Sequence, residues 1–165
     1  MSRATDLTPE QRLTRLGIEL PRAQTPLSQH LPVVISGNFA FVSGHGPMDP
    51  DRNPVFTGPV GSKYSVEEGA EAARLAALNA ISSVRAAIGG LDQVTRVVKL
   101  TGFVLSASGF ERQPWVVDGA SDLLVQAFGE SRGAHARTSI GVGCTALSMT
   151  VTLEIIFEVA NARAE

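Results

Sequence analysis

Residues 65–90 read SVEEGAEAARLAALNAISSVRAAIGG, and the reading of this stretch decides the fold. Ser65-Val66-Glu67-Glu68 is a capping box. The serine hydroxyl serves the N–H three positions on, and Glu68 returns the bond at the helix's positive end. Ala70, Ala73, Ala77, Ile81, Val84 and Ile88 then recur at spacings of three and four. They form one apolar stripe on a helix of about 23 residues that Gly89-Gly90 ends. The early stripe is alanine, so whatever packs there comes close.

Outward from this helix the periodicity changes. Val97 to Val104 reads as a buried strand. A second helix is expected from about Pro114 to Phe128, stopped by Gly129 and weakened by Gly119. In 137–142 and 149–159 apolar and polar residues alternate, with Met149, Val151, Leu153, Ile155, Phe157 and Val159 on one side of the last strand. Period two predicts a pair of strands, each with a core face and a more polar face. Upstream, Val33–Ile35 and Phe39–Val42 flank Ser36-Gly37-Asn38 as a hairpin. Residues 44–61 are a loop rich in glycine and proline. Thr8-Pro9-Glu10-Gln11 opens a short helix with Leu13 and Leu16 on its apolar side, after a disordered start at 1–7.

The order is strand pair, helix, strand, helix, strand pair. It predicts an α+β fold in which two helices cover one face of a mostly antiparallel sheet. The other face still carries Phe, Ile and Val, so burial against copies of the same chain is expected. The 165 residues fit one domain, 1–165, with 1–20 as an N-terminal extension. Fourteen Lys+Arg stand against sixteen Asp+Glu, giving a net charge of −2. With no basic run, a nucleic-acid surface is not indicated. No apolar stretch has the length of a membrane span, and the start lacks the apolar core of a signal peptide. The single cysteine, Cys144, excludes an internal disulfide, suits a cytoplasmic location and reads as a buried, inert thiol.

Among side chains with chemistry, Arg137 stands at a strand start with no acidic neighbour in sequence. Its planar fork suits a carboxylate; the competing reading is a surface or interface salt bridge. His135, two positions away, shares its side if the strand begins early. Ser43, in the turn Ser43-Gly44-His45-Gly46, is an orienting hydroxyl rather than a nucleophile. Asp118, Glu154 and Glu158 are the candidate acids. His30, His45 and His135 match no zinc spacing, so no metal is expected.

Five segments carry a resemblance: GNFAFVSGHGPMDP (37–50), AARLAALNAISSVRAAIGGLDQV (72–94), VVKLTGFVLSASGF (97–110), VVDGASDLLVQAFGE (116–130) and HARTSIGVG to LEIIFEVA (135–160). Together they resemble the RidA/YjgF/UK114 family, also called endoribonuclease L-PSP, and its long-form branch. The resemblance implies a chorismate-mutase-like fold and a homotrimer with an inner barrel, outer helices and clefts between subunits. It also implies cofactor-free hydrolysis of enamines and imines to 2-keto acids and ammonia. Under it, Arg137 and Ser43 map to the carboxylate-binding arginine and the turn serine; Asp118, Ser139 and His135 join the substrate contacts, and Ser43, Glu154 and His30 the catalytic set. Several positions depart from the family, among them Thr138-Ser139 in place of Ser-Cys and Thr145-Ala146 in place of Leu-Pro. His30 replaces a tyrosine, Asp118 an asparagine, and Thr152 a water-positioning glutamate, with Glu154 the next acid along. The other functions the resemblance admits are a non-catalytic trimeric binder of a small carboxylate and, with less support from the charge, a ribonuclease.

Overall fold

The structure is a computed structural model that describes residues 7–160 apart from 24 and 27. The disordered start therefore lies, except for Leu7, outside the described residues. The described residues form four α-helices: α1 (Pro9–Arg15), α2 (Val66–Ile88), α3 (Gln113–Phe128) and the one-turn α4 (Glu130–Gly133). Five strands, β1 (Val33–Ser36), β2 (Phe39–His45), β3 (Val94–Leu105), β4 (Ala136–Val142) and β5 (Val151–Val159), form one sheet in the order β1-β2-β5-β3-β4. Three pairings are antiparallel and one, β3 with β4, is parallel.

The long helix matches its sequence signals. Ser65 Oγ accepts from the Glu68 amide at 3.1 Å, Glu68 accepts from the Ser65 amide at 2.8 Å, and Gly89 closes the helix at φ 81°. Thr8 and Gln11 cap α1 reciprocally. Leu13 is buried, whereas Leu16, expected beside it, ends the helix half-exposed. Glu10 ties α1 down by accepting from Arg85 Nε at 2.9 Å and from the Leu91 amide at 3.1 Å.

Two expectations are corrected. The last two strands do not pair with each other. β5 inserts between β2 and β3, and β4 runs parallel to β3 at the sheet edge. A parallel pair needs a crossover, and α3 with α4 supplies it. The helix count also rises from two major helices and one short one to four, because α4 forms directly after Gly129, where a stop was expected.

Helices α2 and α3 cover one face of the sheet. Their apolar sides pack on Ala40, Val42, Val97, Leu100, Val104, Leu153, Ile155 and Phe157. The alanines of α2 admit α3 to close range. A Cβ at Gly119 would lie 2.0 Å from the Ala70 carbonyl oxygen, and one at Gly102 of β3 would lie 2.5 Å from Val117 of α3. So α3 is seated against α2 on one side and β3 on the other, with a glycine at each contact. Among the described residues no helix covers the opposite sheet face, where Phe39, Phe41 and Ile140 are 40–44% exposed.

Gly119→Ala tests this seating. Alanine favours a helix over glycine by about 1 kcal/mol. The clash is with backbone and cannot be relieved by a side-chain rotation, so strain of about 3 kcal/mol is expected to win. A urea midpoint lowered by a net loss of about 2 kcal/mol is the expected result; an unchanged or raised midpoint contradicts the packing.

Candidate functional site

β4 is an edge strand, and its alternation points Arg137, Ser139 and Gly141 toward α3. Thr138, Ile140 and Val142 face the uncovered side. The more polar set therefore faces the helices, because α3 presents polar groups to this edge. Asp118 and Ser121, one turn apart on α3, both meet Arg137. Arg137 Nη1 donates to Asp118 Oδ1 at 2.6 Å and to Ser121 Oγ at 3.0 Å. The acidic partner that sequence did not show thus lies 19 positions upstream in the same chain. The salt bridge is intrachain, with the two side chains 27% and 47% exposed.

The strand begins at Ala136, one residue after His135, and His135 shares Arg137's side because both meet the Ser121 hydroxyl. Its Nδ1 lies 2.6 Å from the Gly133 carbonyl, and its Nε2 lies 3.1 Å from Ser121 Oγ. A carbonyl only accepts, so Nδ1 carries the proton. In the neutral ring Nε2 then accepts from the Ser121 hydroxyl, which in turn accepts from Arg137. The polar chain runs in one direction, from Arg137 through Ser121 and His135 to the Gly133 carbonyl. Burial, with a smaller contribution from the nearby Arg137 charge, pushes the His135 pKa below its ordinary value and favours this neutral form. Ser139 follows Arg137 on the same face, half-buried. Beyond it, Gly141 leaves room for Gln113, whose Nε2 donates to the Phe110 carbonyl at 2.6 Å.

The remaining candidates lie elsewhere in the chain. Ser43 Oγ donates to the Pro32 carbonyl at 3.2 Å, at a bulge in β2. β2 is three strand positions from β4, about 14 Å at ordinary strand spacing. His30 is exposed and bonds through Nδ1 with Ser28 Oγ at 2.8 Å. Glu154 is exposed on the helix-free face opposite Thr101, with half-buried Thr152 on the same face. One chain thus brings together Arg137, Asp118, His135 and Ser139, but not Ser43, His30 or Glu154.

Sequence reasoning missed Ser121, although Asp118 and Ser121 at helical spacing were the available signal. It also passed over His45, which is buried on the helix side, with Nδ1 2.7 Å from the Ser43 carbonyl and Nε2 2.8 Å from Ser83 Oγ. Cys144 is exposed rather than buried, because it sits in the turn after the edge strand, outside the core. Among the described residues no group of three or more His, Cys, Asp or Glu is placed to hold a metal ion. Nor is any described helix long and apolar enough to cross a membrane.

Burial also lowers the His45 pKa, so both histidines predict the same pH response. The unfolded chain takes up these protons near 6.5, and the folded chain does so only at lower pH. Below 6.5 the unfolded state therefore binds more protons, and stability present at neutral pH is lost as pH falls. The melting temperature is expected to drop between pH 7.5 and 5, with a shallower drop in His135→Asn. An equal drop in both proteins contradicts the assignment for His135.

The family model described as "YjgF/chorismate_mutase-like, putative endoribonuclease" matches residues 10–158. A curated relative, Protein TCP17 of Trypanosoma cruzi, is 42% identical over 149 residues, spanning 90% of this chain and 92% of that one. The crystal structure of Atu1372 from Agrobacterium tumefaciens, a protein of unknown function, is 37% identical with a TM-score of 0.83 and covers 93% of each chain. A "putative endoribonuclease" from Shewanella oneidensis is 33% identical with a TM-score of 0.88, covering 93% of this chain and 100% of that one. With a family match across nearly the whole chain, and the same α+β fold in relatives above 30% identity, this chain belongs to the YjgF/RidA (endoribonuclease L-PSP) family.

Proposed function

We propose that this protein is a cofactor-independent enamine/imine deaminase that works in clefts between the subunits of a homotrimer. The observation that carries the reading is the placement of Arg137. Its guanidinium is held at a sheet edge by Asp118 and Ser121 through Nη1. Among the described residues Nε and Nη2 have no bonded partner, which leaves one side of the fork for a ligand carboxylate.

The chemistry asks little of the protein beyond position. With the carboxylate anchored, water attacks C2 of the iminium and its oxygen bonds to that carbon. One water proton moves from oxygen to nitrogen, the carbon–nitrogen bond breaks as the carbonyl forms, and the departing ammonia takes the second proton from oxygen. The products are a 2-keto acid and ammonium, with nothing oxidised or reduced. Holding the reactants in register is worth several kcal/mol. Ser43, His30 and Glu154 stand too far from Arg137 to assist within one chain, so their participation requires a second copy. The helix-free face with Phe39, Phe41 and Ile140 supports such an assembly, since apolar residues on a mixed surface gain by mutual burial.

The second reading is a non-catalytic trimeric binder of a small carboxylate. Its support is that the acid closest to Arg137 is Asp118, already paired, while Glu154 lies on the other sheet face. A net charge of −2 weighs against the ribonuclease reading.

Light scattering at micromolar concentration should give about three times 17.4 kDa, and Phe41→Asp should lower that mass. A monomeric wild type overturns the cleft model.

The protein should accelerate ammonia release from 2-imino acids generated in situ by an amino-acid dehydratase, and keep doing so after exhaustive chelation. Arg137→Ala should lose about 2–5 kcal/mol of ligand binding with the assembly intact. Arg137→Lys should also bind more weakly, because the two-bond fork is lost. Carboxylate binding without ammonia release selects the binder; an Ala variant with unaltered affinity excludes the anchor.

A further inference from the structure

We propose that His45 is a positioning residue for the deaminase reaction, holding Ser43 in place through its main-chain carbonyl, an inference that rests on Ser43 belonging to the catalytic set of that reaction. The buried side of α2 is rich in alanine, yet Asn79, Ser82 and Ser83 interrupt it at 1%, 5% and 3% exposure. Each of the three reaches a segment outside the helix. Asn79 Nδ2 donates to the Gly46 and Met48 carbonyls, both at 3.0 Å. Ser82 Oγ donates to the Pro21 carbonyl, and Ser83 Oγ lies 2.8 Å from His45 Nε2. This polar row fastens residues 45–48, directly after Ser43, to the helix layer.

Ser43 sits where β2 bulges, its register against β5 shifting between Val42 and His45. A bulge disrupts the ladder locally, so a residue there needs other bonds to hold it. All three polar groups of Ser43 have one. Its N–H and its hydroxyl both donate to the Pro32 carbonyl, at 2.9 and 3.2 Å, which uses that oxygen's two lone pairs. Its own carbonyl lies 2.7 Å from His45 Nδ1. A carbonyl only accepts, so Nδ1 carries the proton, and in the neutral ring Nε2 accepts from the Ser83 hydroxyl. Burial holds the ring's pKa below its ordinary value, against the pull of the Ser43 carbonyl, and favours this neutral form. Ser83, His45 and Ser43 thus form one directed chain from α2 to the bulge.

With its proton committed to Pro32, Ser43 Oγ has a lone pair left to accept from the N–H of an iminium. That bond depends on where Oγ sits, and misplacing a reacting partner by about 1 Å costs roughly a hundredfold in rate. His45 therefore acts on the reaction through Ser43. Arg137 lies three strand positions away and outside this chain of bonds.

Two substitutions divide the functions of the ring. His45→Asn puts an amide N–H where Nδ1 stood and keeps a donor for the Ser43 carbonyl. His45→Gln reaches toward Ser83 and lacks that donor. Ammonia release from 2-imino acids generated in situ is measured on the full-length protein at pH 7.5, with the melting temperature and mass of each variant. His45→Gln is expected to slow release roughly tenfold to a hundredfold, and His45→Asn to stay close to wild type. On a Ser43→Ala background His45→Gln should cause no further loss, because a residue acting through Ser43 then has nothing to position. Ser83→Ala, a small change that suits a helix, should slow release in the same direction and carries the test if His45→Gln does not fold. Unchanged release in His45→Gln and Ser83→Ala, an Asn variant as slow as the Gln variant, or an equal loss with and without Ser43 overturns the positioning role and leaves the deaminase reading standing. Full activity in Ser43→Ala does the same by removing Ser43 from the reaction. A wild type that releases no ammonia overturns the deaminase reading and this inference with it.

Discussion

The contact between Gly119 and the Ala70 carbonyl fixes where everything else near the candidate site can be. Only a glycine lets α3 come this close to α2, and Gly102 makes the matching allowance on the sheet side. Once α3 is seated between them, its rotation is set. Val116, Val117, Ala120, Leu123 and Leu124 turn into the core. Asp118 and Ser121 then have to emerge beside β4, where they meet Arg137. The core packing and the polar site are two consequences of one helix position. The same argument explains the small residues of α2, which exchange side-chain volume for proximity.

An edge strand with open hydrogen-bonding groups is a liability, and β4 shows how it is managed here. On its helix side lie an arginine, a serine and a glycine, in a seam where an apolar row was expected. Arg137 is engaged by two partners through Nη1, which sets the direction in which its open edge faces. His135 and Ser121 add a directed set of hydrogen bonds that fixes where the guanidinium sits. Such a set has one satisfied arrangement, which holds the site in a defined geometry but leaves it sensitive to protonation of the ring.

Most of the architecture was legible in the sequence because it depends on local signals. The capping box at Ser65, the glycine stop at 89 and the alternation of β5 each act within a few residues. What was not legible depends on strand order and sheet face. Nothing local says that β5 inserts between β2 and β3, or that β4 takes the parallel edge. Without that order Arg137 has no visible acidic partner, since Asp118 becomes its neighbour only through the crossover. The burial of Cys144 failed for the same reason: an apolar local sequence was read as core, yet the turn lies beyond the edge. The site was half legible. The resemblance singled out Arg137 and Asp118 separately, and only the fold shows that they are bonded to each other.

The separation of Ser43 from Arg137 bears on how such a site can be built. The two lie on strands three positions apart, and the sheet between them is filled by β5 and β3. No side-chain rotation closes a gap of about 14 Å across two strands. A cleft using both must therefore draw them from different copies. The face that would drive such an assembly, with Phe39 and Phe41, belongs to the same strand as Ser43. Burial of those rings against a second copy would fix the position of β2 and hence of Ser43. On this reasoning the apolar face and the polar site are coupled: the residues that hold the copies together would also determine what reaches Arg137.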